Sequence, residues 1–164
     1  MRRAALALLA AALATTPARA QWIAGHTGAD NARADAIARA EDGAEIRLWM
    51  DEERRLQAAI TLAPGLVRLD PAGCPTLQID ERIAEDLSRE RHRCAIEGAR
   101  ASVVLGQVSA GQLDSPTLLG LMNGSSLTVR YRLAHAGYAA SRFSLKGSKQ
   151  ALGSVLEGVT VTGE

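Results

Sequence analysis

From Ala34 onward, apolar side chains recur at every second position, the period of a half-buried strand. Ala34, Ala36, Ala38 and Ala40 form one face of a first strand, and Asp42-Gly43 is a turn pair. Ile46, Leu48 and Met50 line one side of a second strand, with Glu45, Arg47, Trp49 and Asp51 opposite. A polar turn over residues 51–53 leads to a third strand carrying Leu56, Ala58, Ile60 and Leu62. The competing reading is a helix through residues 48–62, because Glu, Arg and Ala are good helix formers; the alternation favours a meander of strands.

Pro64-Gly65 and Asp70-Pro71 mark turns, and Leu77 with Ile79 makes a short strand. Residues 80–93 are dense in charge and admit two readings. One is a short helix capped by Asp80, with Ile83 and Leu87 inward and Glu85 paired to Arg89; the other is a solvated excursion. Residues 101–105 suit a buried strand. Ser115-Pro116 reads as an N-cap with proline at the first helical position, followed by Leu118, Leu119, Leu121 and Met122 and stopped at Asn123-Gly124. Leu127, Val129, Tyr131 and Leu133 alternate with Thr128, Arg130 and Arg132. Ser141, Phe143 and Leu145 alternate with Arg142 and Ser144, so the two runs form an antiparallel hairpin around residues 134–137. Gly147-Ser148 opens a second helix with Ala151, Leu152 and Val155 inward, and Val159 and Val161 give a closing strand. The pattern predicts a mainly β fold: an antiparallel β-sandwich-like domain with two or three short helices, with α+β as the alternative class.

Residues 1–20 follow a different rule. Met1-Arg2-Arg3 is positive, residues 4–14 are a run of Ala and Leu, and Thr15, Thr16 and Pro17 break it before Ala18-Arg19-Ala20. That order predicts a signal peptide cleaved after Ala20, leaving residues 21–164 as one β-rich exported domain. A buried N-terminal helix is the alternative, and Arg2-Arg3 leaves a twin-arginine route open beside ordinary secretion. The apolar run is too short to cross a bilayer, and no later stretch qualifies, so a membrane-spanning chain is not expected.

Composition narrows the partners. The 164 residues are 47% hydrophobic and 23% charged, apolar enough to fill a core and too weakly charged for a disordered tail. A formal net charge of +1 argues against a dedicated nucleic-acid binder, and an aromatic share of 3% against a base-stacking platform.

Cys74 and Cys94 are the only cysteines. Export makes an intramolecular disulfide the leading reading, worth roughly 3 kcal/mol for a closed loop of about 20 residues. The alternatives are a metal site of Cys74, His92 and Cys94, which lacks an evident fourth ligand, and a reactive thiol, for which no CxxC is present. His26, His92 and His135 make no HExxH and no close pair, and no GxSxG or ordered triad occurs. His26 lies in Gly25-His26-Thr27-Gly28-Ala29-Asp30-Asn31, a candidate ligand loop whose plainer reading is an ordinary N-terminal loop. Glu52-Glu53 and Asp80-Glu81 read as solvated turns before they read as carboxylate dyads. No catalytic, cofactor-binding or metal-ligating residue is assigned, and no cofactor is expected.

One surface feature carries a binding hypothesis. Arg130, Arg132 and Arg142 fall on one face of the predicted hairpin, and Lys146 and Lys149, the only lysines, follow. They make a possible basic face for an anionic envelope lipid or polysaccharide; a solvated outer sheet face is the plainer reading.

The run Phe143-Ser144-Leu145-Lys146-Gly147-Ser148-Lys149-Gln150-Ala151-Leu152 resembles the closing strand-to-helix element of the invasion-associated locus B family. The Leu118 to Leu121 helix, the Leu127 to Tyr131 strand and the apolar strand after Cys94 resemble it too. The likeness extends loosely over residues 44–157, although the family's cysteine near an N-terminal Trp has no counterpart beside Trp22. It implies a small exported protein of a Gram-negative envelope, periplasmic or secreted, with a β-rich fold and no established catalysis. It offers no catalytic residues to carry over. The expected function is a non-enzymatic envelope protein acting through contacts with protein, lipid or glycan, its partner an envelope or host component. The alternatives are a periplasmic hydrolase or small-ligand enzyme with a non-contiguous site, and an accessory or inhibitor subunit of another exported protein.

Overall fold

The alternating runs fold as strands. The computed structural model describes residues 22–27, 33–66, 68–87 and 94–163. The predicted leader at residues 1–20, His92, Arg89 and residues 28–31 lie outside the described residues. In chain order the elements are β1 (Ile23–Thr27), β2 (Arg33–Arg39), β3 (Glu45–Met50), β4 (Arg55–Thr61), β5 (Thr76–Ile79), β6 (Glu85–Asp86), β7 (Cys94–Glu97), β8 (Arg100–Gln107) and β9 (Gln112–Asp114). Then come α1 (Pro116–Asn123), β10 (Ser126–Leu133), β11 (Gly137–Ser144), α2 (Ser148–Val155) and β12 (Thr160–Thr162).

Six strands in the order β1-β2-β3-β4-β8-β7 make one sheet, and four in the order β11-β10-β5-β6 make a second. Pairing within both is antiparallel, while β9 and β12 form a short parallel pair. The fold is mainly β with two helices, as the periodicity predicts. Period-two alternation buries one side of each sheet: Ala36, Ala38, Ile46, Leu48, Leu56, Ala58 and Ile60 from the first, Leu77, Ile79, Leu127, Val129 and Phe143 from the second. All belong to one hydrophobic cluster. The small side chains of β2 have a structural use, because α2 packs against β2 and its neighbours β1 and β3. Ala36 and Ala38 leave room there for Ala151, Leu152 and Val155.

The predicted Asp42-Gly43 turn and the Ser115 cap are present. Gly43 adopts φ +89°, a left-handed geometry open to glycine, between β2 and β3. Ser115 Oγ accepts from the Leu118 N–H at the start of α1 and donates to the Leu105 carbonyl. The β4–β8 register shifts between Leu56 and Gln57. Beside this irregularity Gly106 gives Leu113 its place, since an added Cβ would sit 2.7 Å from the Leu113 Cδ1.

Cys74 and Cys94 are joined in a disulfide with Cα atoms 6.3 Å apart. Cys74 leads into β5 of one sheet and Cys94 opens β7 of the other, so the bond staples the two sheets. Both sulfurs are thereby occupied, which removes the Cys74–His92–Cys94 metal reading and the free-thiol reading.

Two expectations are corrected. The helix capped by Asp80 does not form: Asp80 is in a left-handed turn (φ +51°), Ile83 is 96% exposed, and Glu85–Asp86 pair with β5 as β6. The Asp80 carboxylate is held elsewhere. It accepts from the backbone N–H groups of Ser125 and Ser126, and so cannot cap its own segment. The N-terminal loop reading also fails for its described part, because Gly25, His26 and Thr27 belong to β1, where His26 pairs with Ala34.

Candidate functional site

The β10–β11 hairpin is set by its register. Leu127 pairs with Phe143, Val129 with Ser141 and Tyr131 with Ala139 on the inward face. The alternate pairs Thr128–Arg142, Arg130–Ala140 and Arg132–Tyr138 therefore share the outward face, and β5 extends it with Gln78 beside Thr128 and Thr76 beside Arg130. Arg130, Arg132 and Arg142 are all exposed, as the alternation predicts.

These three arginines differ in their surroundings. Arg132 pairs with Asp70 at 3.0 Å, at the end where Asp70 also donates its N–H to the Arg132 carbonyl. Neither Arg130 nor Arg142 forms an ion pair with a described residue. Arg142 and Lys146 line a groove of about 640 Å³ with Glu41, Asp42, Ser125 and Ser126. Arg130 and Arg142 line a second groove of about 680 Å³ with Gln78, Asp80, Glu81 and Thr128. The two grooves share Ser126 and Arg142 as lining residues. Lys149 stands exposed in the first turn of α2 and lines neither groove.

One carboxylate lining each groove is already engaged. Asp80 accepts from Ser125 N–H and Ser126 N–H at 3.0 and 2.9 Å. The backbone donors of Ser126 and Ser125 hold its carboxyl below the usual aspartate range, so it is a carboxylate at neutral pH. Asp42 Oδ1 accepts from Ala44 N–H, and its Oδ2 accepts from the Ser141 hydroxyl at 2.6 Å. Because Ser141 donates to Asp42, the Tyr131 hydroxyl must donate to Ser141, over 2.8 Å. This buried chain ties β10 and β11 to the β2–β3 turn of the other sheet. No histidine takes part in it, and Tyr131 and Ser141 are almost fully buried. It positions the hairpin rather than presenting a nucleophile.

Several residues at this surface went unnoticed in the sequence. Tyr138, 81% exposed, stands across from Arg132; its place follows from the same two-residue period that singles out Arg142. Glu41 carries no local signal, and the turn residues Asp42 and Asp80, though marked in the sequence, reach these grooves only through the tertiary fold. A second polar constellation lies on the outward face of the six-stranded sheet. Trp49 has the guanidinium groups of Arg33 and Arg100 at 5.3 and 5.8 Å from its ring centroid. Beside it Asp35 is fully buried; among the described residues its oxygens accept no hydrogen bond and its one ion-pair contact is Arg47 at 3.5 Å. Gly25 makes room for that carboxylate, since a Cβ there would lie 2.6 Å from Asp35 Oδ1.

Of the other singled-out residues, His26 is exposed on β1, His135 is exposed in the hairpin turn, and Glu52-Glu53 form the solvated β3–β4 turn. Among the described residues, no group of three His, Cys, Asp or Glu side chains is placed to hold a metal ion. No helix among them is long and apolar enough to cross a membrane.

No family model and no curated protein matches the chain. Among solved structures, the crystal structure of invasion associated protein B from Bartonella henselae superposes with a TM-score of 0.53 and 13% identity, over 84% of this chain and 93% of that one. At that identity the likeness is one of fold: this chain and the Bartonella protein share an architecture.

Proposed function

We propose that the chain is an exported envelope protein of the invasion-associated kind, which works without catalysis by binding an anionic partner on the outward face of the β10–β11 hairpin. The observation that carries this reading is the strand register. It gathers Arg130, Arg132 and Arg142 on one solvent face and leaves Arg130 and Arg142 without carboxylate partners among the described residues. A guanidinium without an internal partner is a donor fork available to carboxylate or phosphate.

Export is supported by three features. The first residues follow the order of a signal peptide, Cys74 and Cys94 form a bond that persists in oxidising compartments, and the fold is shared with the Bartonella protein. On this reading residues 21–164 act as one exported domain in the periplasm or outside the cell.

The test is co-sedimentation of the mature protein with native envelope fractions, beside an Arg130→Glu/Arg142→Glu variant. Both side chains are exposed, so the variant is expected to fold. Binding should fall at least about tenfold, equivalent to about 1.4 kcal/mol, and should weaken as salt is raised. Unchanged binding by the variant would rule out this face.

A further inference from the structure

We propose that the open edge of β11 is a pairing site for β11 of a second copy of this chain, the two copies related by a two-fold axis at Ala140. The pairing joins two four-stranded sheets into one continuous sheet. It stands independently of what the hairpin face binds.

Three observations carry it. The first is the edge itself. Among the described residues β11 pairs with β10 alone, and it runs for eight residues without a register shift. It holds no proline and a single charge, Arg142, so little keeps another strand away. The other edge strands, β1, β7 and β6, have five, four and two residues. The second is the direction of the backbone groups. The Leu145 N–H donates to the Ser125 carbonyl, so in the alternating antiparallel ladder the odd-numbered residues of β11 bond to β10. Tyr138, Ala140, Arg142 and Ser144 therefore turn their N–H and C=O groups to the open edge. The Trp22 indole N–H donates to the Ser144 carbonyl and closes the edge there. The stretch left open, Tyr138 to Arg142, is centred on Ala140, and that centre sets the register of a two-fold pair. Ala140 meets the partner's Ala140, and Tyr138 meets the partner's Arg142 on either side of the axis, each pair exchanging both N–H···O=C bonds. The third is what this register does with side chains. Tyr138 and Arg142 are exposed on the outward face, and Arg142 forms no ion pair with a described residue. The pairing sets each ring against a guanidinium of the other copy, with the small Ala140 at the axis. Stacking uses the plane of the guanidinium and leaves its N–H edge to solvent. On the inward face the partner's Ala139 stands opposite Ser141, where its small side chain leaves the Asp42–Ser141 bond undisturbed.

Sedimentation equilibrium of the intact, disulfide-bonded protein over a concentration series tests the pairing. The expected result is a reversible monomer–dimer equilibrium. Ala140→Pro removes an N–H that faces the open edge and none that bonds to β10, so the monomer should fold, as circular dichroism checks. It should weaken the dimer at least about tenfold, equivalent to about 1.4 kcal/mol. Ala140→Lys sets two like charges across the axis and should do the same, which keeps the test open if the proline variant unfolds. Tyr138→Ala should also weaken the dimer, whereas Ile23→Ser on the β1 edge should leave it unchanged. In an equal mixture of isotope-labelled and unlabelled protein, intermolecular NOEs should join the Tyr138 ring to the Arg142 side chain. A monomer at every concentration up to millimolar would overturn the inference. So would a dimer that Ala140→Lys and Tyr138→Ala leave intact, or one that Ile23→Ser weakens as much.

Discussion

Asp35 and Asp51 show how differently this chain treats two carboxylates. Asp35 is fully buried, and among the described residues Arg47 is its one ion-pair partner, at 3.5 Å. Removing that partner leaves a buried charge uncompensated, so Arg47→Met should destabilise the fold by about 3 kcal/mol. Adding Asp35→Val, which removes the charge at similar volume, should restore most of the loss. Urea titration of both variants checks this; a double variant no more stable than the single one would contradict it. Asp51 is a hub instead. Burial works against its ionisation, but the Arg55 backbone N–H, the Gln57 amide and the Arg55 guanidinium outweigh it and draw the carboxyl below 3.8. A carboxyl with a depressed folded-state pKa contributes stability above its unfolded value, and the contribution is lost as pH falls through the folded value. Thermal stability should therefore drop on acidification below about pH 4. Asp51→Asn should be less stable at neutral pH and show a shallower drop over the same window. Parallel pH profiles for parent and variant would contradict this.

Elements were legible in the sequence to the extent that their signals are local. The β2–β4 meander follows from alternation over residues 34–62, and α1 from a cap and a proline in adjacent positions. Ser115→Ala removes the Leu118 cap and the bond to the Leu105 carbonyl, and should lower stability by about 1 kcal/mol with loss of helical signal at α1. The arginine face was readable because residues 134–137 make a short turn that fixes the hairpin register. Residues 80–87 were not readable, because their fate is settled by Asp80 reaching Ser125, 45 residues away. Charge density alone does not separate a helix from a turn there. The Arg33–Trp49–Arg100 contact was hidden for a similar reason, since it requires β8 to lie beside β4. β1 and β9 are too short or too irregular to carry a period, whereas the alternation of Val159 and Val161 marks the closing strand β12.

At the scale of the whole molecule, two sheets share one hydrophobic cluster, and the Cys74–Cys94 bond and the Asp42–Ser141–Tyr131 chain bind them at separate places. Replacing both cysteines by serine should destabilise the fold by about 3 kcal/mol, read as a lower denaturant midpoint with an unchanged slope. No change would show that the staple constrains nothing. Together these ties fix the hairpin against the first sheet, with its outward face exposed and its inward face buried. The most direct measurement is to map backbone amide shifts while titrating a short polyphosphate, a soluble anionic probe, into the isotope-labelled mature protein. Shifts should cluster at Gln78, Ser126, Thr128, Arg130, Ala140 and Arg142. Shifts confined to the Trp49 face of the six-stranded sheet would contradict the assignment of the working surface to the hairpin.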